Sequence, residues 1–273
     1  MLRRTMLQGA AGALLTGQAR AATTWRLATG YRAESFHGQN LLAWARLVEQ
    51  AAGGALRIEL QPNGSLAPLA QIPAAVREGR AEIGEVIMTG LTKEMPIAGA
   101  DAVPFITRHY DDAQRLWRHQ RPLAEAAFAA RGLRLLFAVP WPPQGLYSSK
   151  PVSAAQDLRG LRMRTYNATT VRIAELLGAT PVDVAMVDVG RAVAEGRIDA
   201  MITSAVTGVE NRVWDGLKYL YEINAWFPKN AVFASEAALR SLPAAAREAL
   251  LASTADAEAR GWAASRQAAR ESV

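Results

Sequence analysis

Apolar positions along the chain switch repeatedly between two spacings, one suited to strands and one to helices. Residues 25–29 read as a strand, and 36–52 as an amphipathic helix with Leu41, Leu42, Ala45 and Val48 on one face, stopped by Gly53-Gly54. Residues 56–60 alternate as a second strand, closed by a Pro62-Asn63-Gly64 turn. A helix over 70–78, a strand over 81–88 and a passage interrupted by Pro and Gly over 92–107 follow. Asp111 and Asp112 read as helix-start charges of a long helical region that reaches Arg131 and breaks near Pro122. Residues 133–139 form a nearly continuous apolar run, the pattern of a strand buried on both faces.

The run Pro140-Trp141-Pro142-Pro143-Gln144-Gly145 can continue neither a helix nor a central strand, so it predicts a rigid connector between two lobes. Beyond it the alternation restarts. Asp157-Leu158-Arg159-Gly160-Leu161-Arg162-Met163-Arg164 opens as a turn, with Asp157 expected to accept from the backbone two residues on, and continues as a short strand. Asn167 and its neighbouring threonines can cap the helix that carries Val171, Ile173, Ala174 and Leu177 and stops at Gly178. Arg164 therefore falls at a strand end beside a helix start, where open α/β sheets place ligands. Strands at 181–184 and 198–203, a helix at 188–195, strand-like runs at 219–226 and 231–234, and one long alanine-rich helix from Pro243 to the end complete the pattern. Repeating βα units predict an α/β fold of mostly parallel sheets flanked by helices. The expected division is 22–141 plus 229–273 for one lobe and 142–228 for the other.

Composition narrows the functional classes. With 273 residues, half of them hydrophobic, the chain can bury a substantial core. The net charge of +6 comes from arginines scattered through helices, without a basic run or an aromatic ladder, so nucleic acid is not an expected partner. The absence of cysteine removes disulfides, thiolate nucleophiles and zinc–sulfur sites. Residues 1–21 read as an export signal: Arg3-Arg4, a modest Ala/Gly/Leu segment, then Ala19-Arg20-Ala21 as cleavage site. The paired arginines resemble a twin-arginine signal, and an ordinary secretory peptide is the alternative. His37, His109 and His119 lack metal-ligand spacing and read as surface or cap residues. No nucleophile elbow, phosphate loop or dinucleotide fingerprint is present. These absences point to binding rather than catalysis, with no metal or cofactor.

A set of motifs carries a family resemblance: Pro62-Asn63-Gly64-Ser65-Leu66, Val76-Arg77-Glu78-Gly79, Val103-Pro104-Phe105, Pro151-Val152, the 157–164 run, Leu177-Gly178-Ala179-Thr180-Pro181 and Gly196-Arg197-Ile198-Asp199-Ala200. Together, in this order, they resemble the solute-binding subunits of tripartite ATP-independent periplasmic (TRAP) transporters, DctP type. The resemblance implies a two-lobed periplasmic binding protein, monomeric, that closes on a small organic acid and delivers it to integral membrane permease subunits. The binding protein of an ATP-driven importer, or an orphan periplasmic sensor, are the alternatives.

In residue terms, the family's strand arginine, which holds the ligand carboxylate with two parallel bonds, matches Arg164. Asn167 falls where a polar ligand contact is frequent, or serves only as a cap. Thr203 falls where many members carry asparagine, or packs a strand end. Met186 falls where a side chain often covers the ligand, or fills the core. Many members carry a second arginine twenty residues before the first; here that position is Gln144. Asp188 matches a recurring acidic residue of the helix beyond, the tyrosine often found after it is replaced by Gly190, and a Gln-Glu-Asn run is replaced by Met201-Ile202-Thr203. Trp141, Tyr147, Tyr166 and Trp226 are candidate lining aromatics. The expected ligand is a monocarboxylate with a substantial apolar or aromatic part.

Overall fold

A computed structural model describes residues 22–272; the export signal expected over 1–21 lies outside the described residues. The first half runs β1 (Thr23–Thr29), α1 (Phe36–Ala51), β2 (Leu56–Gln61), α2 (Ile72–Arg77), β3 (Ile83–Ile87), α3 (Tyr110–Ala129) and β4 (Leu133–Pro140). The second runs β5 (Gln144–Ser148), β6 (Arg162–Thr165), α4 (Ala168–Leu176), β7 (Thr180–Asp183), α5 (Val189–Ala194), β8 (Ala200–Ser204), α6 (Ala205–Glu210) and β9 (Tyr219–Tyr221). The chain then returns through β10 (Lys229–Ser235) to α7 (Glu236–Ser241), α8 (Ala244–Ala252) and α9 (Thr254–Glu271).

These strands form two five-stranded sheets, ordered β2-β1-β3-β10-β4 and β7-β6-β8-β5-β9. Both are mixed. β1 pairs in parallel with β2 and β3, and β6 with β7 and β8, whereas β10 is antiparallel to β3 and β4, and β5 to β8 and β9. Apolar clusters cover both faces of each sheet; Phe128, Phe233 and Ile72 lie on one side of the first, and Trp44, Phe137 and Val232 on the other. Every residue of β10 is buried, as its central place between two strands requires.

Several local expectations change in context. α3 passes through Pro122 without a break: Trp117, Ala124 and Phe128 are buried along one face, and their packing offsets the roughly 3 kcal/mol that an interior proline costs. Its N-cap is His109, whose Nδ1 accepts from the Asp112 amide at 3.3 Å, while Asp111 and Asp112 occupy the first turn. Asp157 accepts from the amides of Ser153 and Ala154, which precede it, not from residues ahead. The long C-terminal helix is divided at Ser253, whose hydroxyl accepts from the Trp44 indole at 2.8 Å and donates to the Leu250 carbonyl.

The connector predicted at Pro140–Gly145 is one of two chain segments that link the sheets. The other is the stretch that follows β9, expected as strand but left irregular after Tyr221, with Asn224 at φ 46°. The two run side by side: Gln144 N–H donates to the Trp226 carbonyl at 3.0 Å, Ala225 N–H to the Gln144 carbonyl at 2.9 Å, and Trp141 N–H to the Pro228 carbonyl at 2.8 Å. At their foot Lys229 Nζ lies 3.0 Å from Asp101 Oδ2, both wholly buried.

Candidate functional site

Because the parallel strands of each sheet end toward the other, the residues that follow them meet across one cleft. A cavity of about 540 Å³ occupies it, within the range of about 300–1,000 Å³ usual for small-molecule sites. Gly30 and Tyr31 extend from β1, Asn63 and Gly64 follow β2, and Ile87 ends β3. Arg164 and Tyr166 come from the end of β6, Asp183 and Ala185 from β7, and Thr203 from β8. Trp141 and Gln144 enter from the connector.

Arg164 is the charged centre of this cavity. Only 4% of it is exposed, and burial pulls its pKa below the usual arginine value. A guanidinium nevertheless stays protonated in a protein. Its Nε donates to the Val184 carbonyl at 3.0 Å, and its plane lies over the Tyr166 ring, 4.8 Å from the centroid. No carboxylate of the described residues pairs with it, so the two Nη groups remain to face a ligand. Burial likewise pushes the Tyr166 hydroxyl up to about 12, against the opposing pull of Arg164. Both groups hold a fixed protonation state at neutral pH.

The opposite wall is aromatic and tied down from behind. The Trp141 indole donates to Asn230 Oδ1 at 2.9 Å, Asn230 Nδ2 donates to Glu85 Oε1 at 3.0 Å, and the Thr29 hydroxyl donates to Glu85 Oε2 at 2.6 Å. Tyr31 packs on Trp141 with ring centroids 5.3 Å apart. His37, expected at the surface, is instead buried beneath this wall, 4.5 Å from the Trp141 ring centroid, with Nδ1 3.3 Å from Glu85. The first turn of α1 aims it inward onto Glu85 of β3, which a count of histidine spacings cannot reveal.

Six of the seven residues singled out from sequence line the cavity: Arg164, Gln144, Thr203, Met186, Trp141 and Tyr166. Asn167 does not. It caps α4 by accepting from the Thr170 amide, and its Nδ2 donates to Thr89 Oγ1 at 2.7 Å, across the cleft from the first sheet's side. A second contact joins the two sides where Arg32 Nη1 donates to the Glu210 carbonyl at 3.3 Å. Tyr147 and Trp226 also lie elsewhere: Tyr147 packs with Val189 and Met201, and Trp226 lines a separate apolar groove with Phe105 and Leu176. Sequence reasoning missed Tyr31, Leu69, Ile87 and Thr207 as lining residues. Applying the strand-end rule to β1 and β3, as it was applied to β6, points to Tyr31 and Ile87. Leu69 has no such signal, since it reaches the cavity only because Gly30 lacks a Cβ, which would lie 2.8 Å from Leu69 Cδ1.

Two α/β lobes around a cleft, with a buried cation that no carboxylate of the described residues pairs with, have the architecture of a solute-binding protein. The chain belongs to the DctP family, bacterial extracellular solute-binding protein family 7, whose model matches residues 27–273. Among solved structures it is similar to DctP7 of Bordetella pertussis, at 39% identity and TM-score 0.89 over 92% of this chain and 83% of that one. It is also similar to DctP6 of the same organism, at 36% and 0.88 over 92% and 86%. Both are described as extracytoplasmic solute receptors binding pyroglutamic acid. A marine metagenome TRAP solute-binding protein from an unidentified microbe, specific for pyroglutamate, matches at 33% and 0.87 over 93% and 82%. The chain spans 48% and 65% of the length of two curated relatives that it matches at 23% and 24% identity.

Proposed function

We propose that this protein is the periplasmic solute-binding subunit of a TRAP transporter, which captures a small monocarboxylate of the pyroglutamate class and hands it to integral membrane permease subunits. The observation that carries the proposal is Arg164: a buried cation that no carboxylate of the described residues pairs with, its Nη groups bonded to none of those residues, with a ligand-sized cavity before it. Leaving a buried charge unpaired costs several kcal/mol, so a site that keeps one is suited to an anion from outside. With Nε committed to Val184, the carboxylate would dock end-on against Nη1 and Nη2. A ligand with one carboxylate suits a cleft where Gln144 stands at the place of a second arginine, and Tyr31, Trp141, Leu69 and Met186 supply apolar walls. In this reading residues 22–141 with 229–273 form one lobe and 142–228 the other, and the lobes close on the ligand.

Mass spectrometry of small molecules released from the natively purified protein tests the proposal, together with a thermal-shift panel of carboxylic acids. A cyclic or apolar monocarboxylate is expected both to co-purify and to give the largest stabilisation. Strongest stabilisation by a dicarboxylate or a sialic acid overturns the ligand class.

A further inference from the structure

We infer that Gln144 is a specificity-determining residue that presents a fixed hydrogen-bond acceptor to the ligand, so that the site selects an acid carrying an N–H donor, such as a cyclic amide. The side chain is 3% exposed and lines the same cavity as Arg164. Its Nε2 donates to the Pro142 carbonyl at 2.8 Å. A carbonyl can only accept, so the amide must turn its NH2 toward Pro142 and its oxygen away. Rotating the amide by half a turn would set two oxygens against each other and lose the bond.

The frame around this amide is rigid. Pro142 has a fixed φ and is followed by Pro143, which restricts it further. The backbone of Gln144 is held at both ends, by Trp226 and by Ala225. No donor of the described residues reaches Oε1, and that oxygen is not among the atoms sealed away from any partner, so it opens onto the cavity. A bound ligand without a donor at this point would bury the acceptor unsatisfied, at a cost of about 1–3 kcal/mol, which a ligand N–H avoids. A second ligand carboxylate at the same place would meet an oxygen instead of a cation.

The inference rests on the reading that Arg164 takes the carboxylate, and the test separates the two. Titration calorimetry compares pyroglutamate with its carbocyclic analogue, in which a methylene replaces the ring N–H, on the wild type and on Gln144→Met. The wild type is expected to bind the lactam about tenfold or more tighter, the equivalent of about 1.4 kcal/mol, and Gln144→Met to bring the two within about threefold, with most of the change in the lactam. Equal wild-type affinities overturn the inference while leaving the carboxylate reading intact, and they do so whether or not the variant folds. A preference unchanged in Gln144→Met also overturns it. Failure of the wild type to bind either acid, or any other carboxylate, sinks both.

Discussion

Arg162 and Arg164 lie two positions apart on β6 and meet opposite circumstances. Arg162 is about half exposed and grips Asp199 with Nε at 2.8 Å from Oδ2 and Nη2 at 2.6 Å from Oδ1. Arg164 is nearly sealed at the cleft, with a backbone carbonyl and an aromatic ring for company and no ion pair to a carboxylate among the described residues. Residues two apart on a strand share a face, so the difference lies along β6: Arg162 stands at its first position beside Asp199, and Arg164 near its C-terminal end at the cleft. The first is compensated from within the chain; the second is left for something else. Lys229 shows that the fold can neutralise a buried cation when it needs to: it is as deeply buried, and Asp101 sits 3.0 Å away. That no carboxylate of the described residues pairs with Arg164 is therefore a property of the cleft rather than a shortage of acids.

The sharpest way to test this contrast is Arg164→Met. Ligand affinity is expected to fall by about 2–5 kcal/mol in calorimetry, since a buried, hydrogen-bonded charge partner is lost. The ligand-free protein should lose no more than about 1 kcal/mol of unfolding free energy, the worth of the bond to Val184. A large stability loss would make Arg164 a structural residue like Lys229.

A smaller effect is expected from Thr89→Val, which removes the hydroxyl that Asn167 reaches across the cleft but keeps the helix cap. If that contact holds the closed arrangement, affinity drops about threefold to tenfold, as for one neutral hydrogen bond of about 0.5–1.5 kcal/mol, without any change at Arg164. Unchanged affinity would confine Asn167 to capping.

The smallest effect belongs to Arg162→Ala. Affinity should stay at the wild-type value and stability fall only slightly, because the pair is solvent-screened. The hydrogen bonds from Arg162 hold the Asp199 carboxyl below its usual pKa. A carboxyl depressed by folding contributes stability above its unfolded pKa of about 3.9, and that contribution disappears as pH falls through the folded value. The gap between wild type and variant in chemical denaturation should accordingly close in acid and persist at neutral pH.

Much of the fold was legible because it is written in short-range spacing. The period of apolar residues marks α1, β2, β4 and α4 to within a residue or two, and the prolines around Trp141 mark the connector. What misled were features whose outcome depends on distant partners. Pro122 reads as a break until Trp117 and Phe128 hold α3 against its core, and the run after Tyr221 reads as strand until its backbone bonds go to the connector and to Phe105 instead. The candidate site divides the same way. Arg164, Gln144 and Thr203 carry motif positions, whereas Tyr31 and Leu69 reach the cleft only through the way β1 ends and the room Gly30 leaves.

By itself, the sequence determined the α/β alternation, the connector between lobes and the strand-end arginine, because periodicity, proline geometry and a local motif act over a few residues. Tertiary structure alone decided that β10 returns antiparallel into the first sheet, that His37 lies beneath an aromatic wall, that Asn167 reaches Thr89 across the cleft, and that Gln144 turns its amide NH2 to the Pro142 carbonyl at the cavity wall. The physical reason is common to all four. Each depends on which groups from remote parts of the chain arrive alongside, and burial then forces every donor, acceptor and charge to answer to those neighbours.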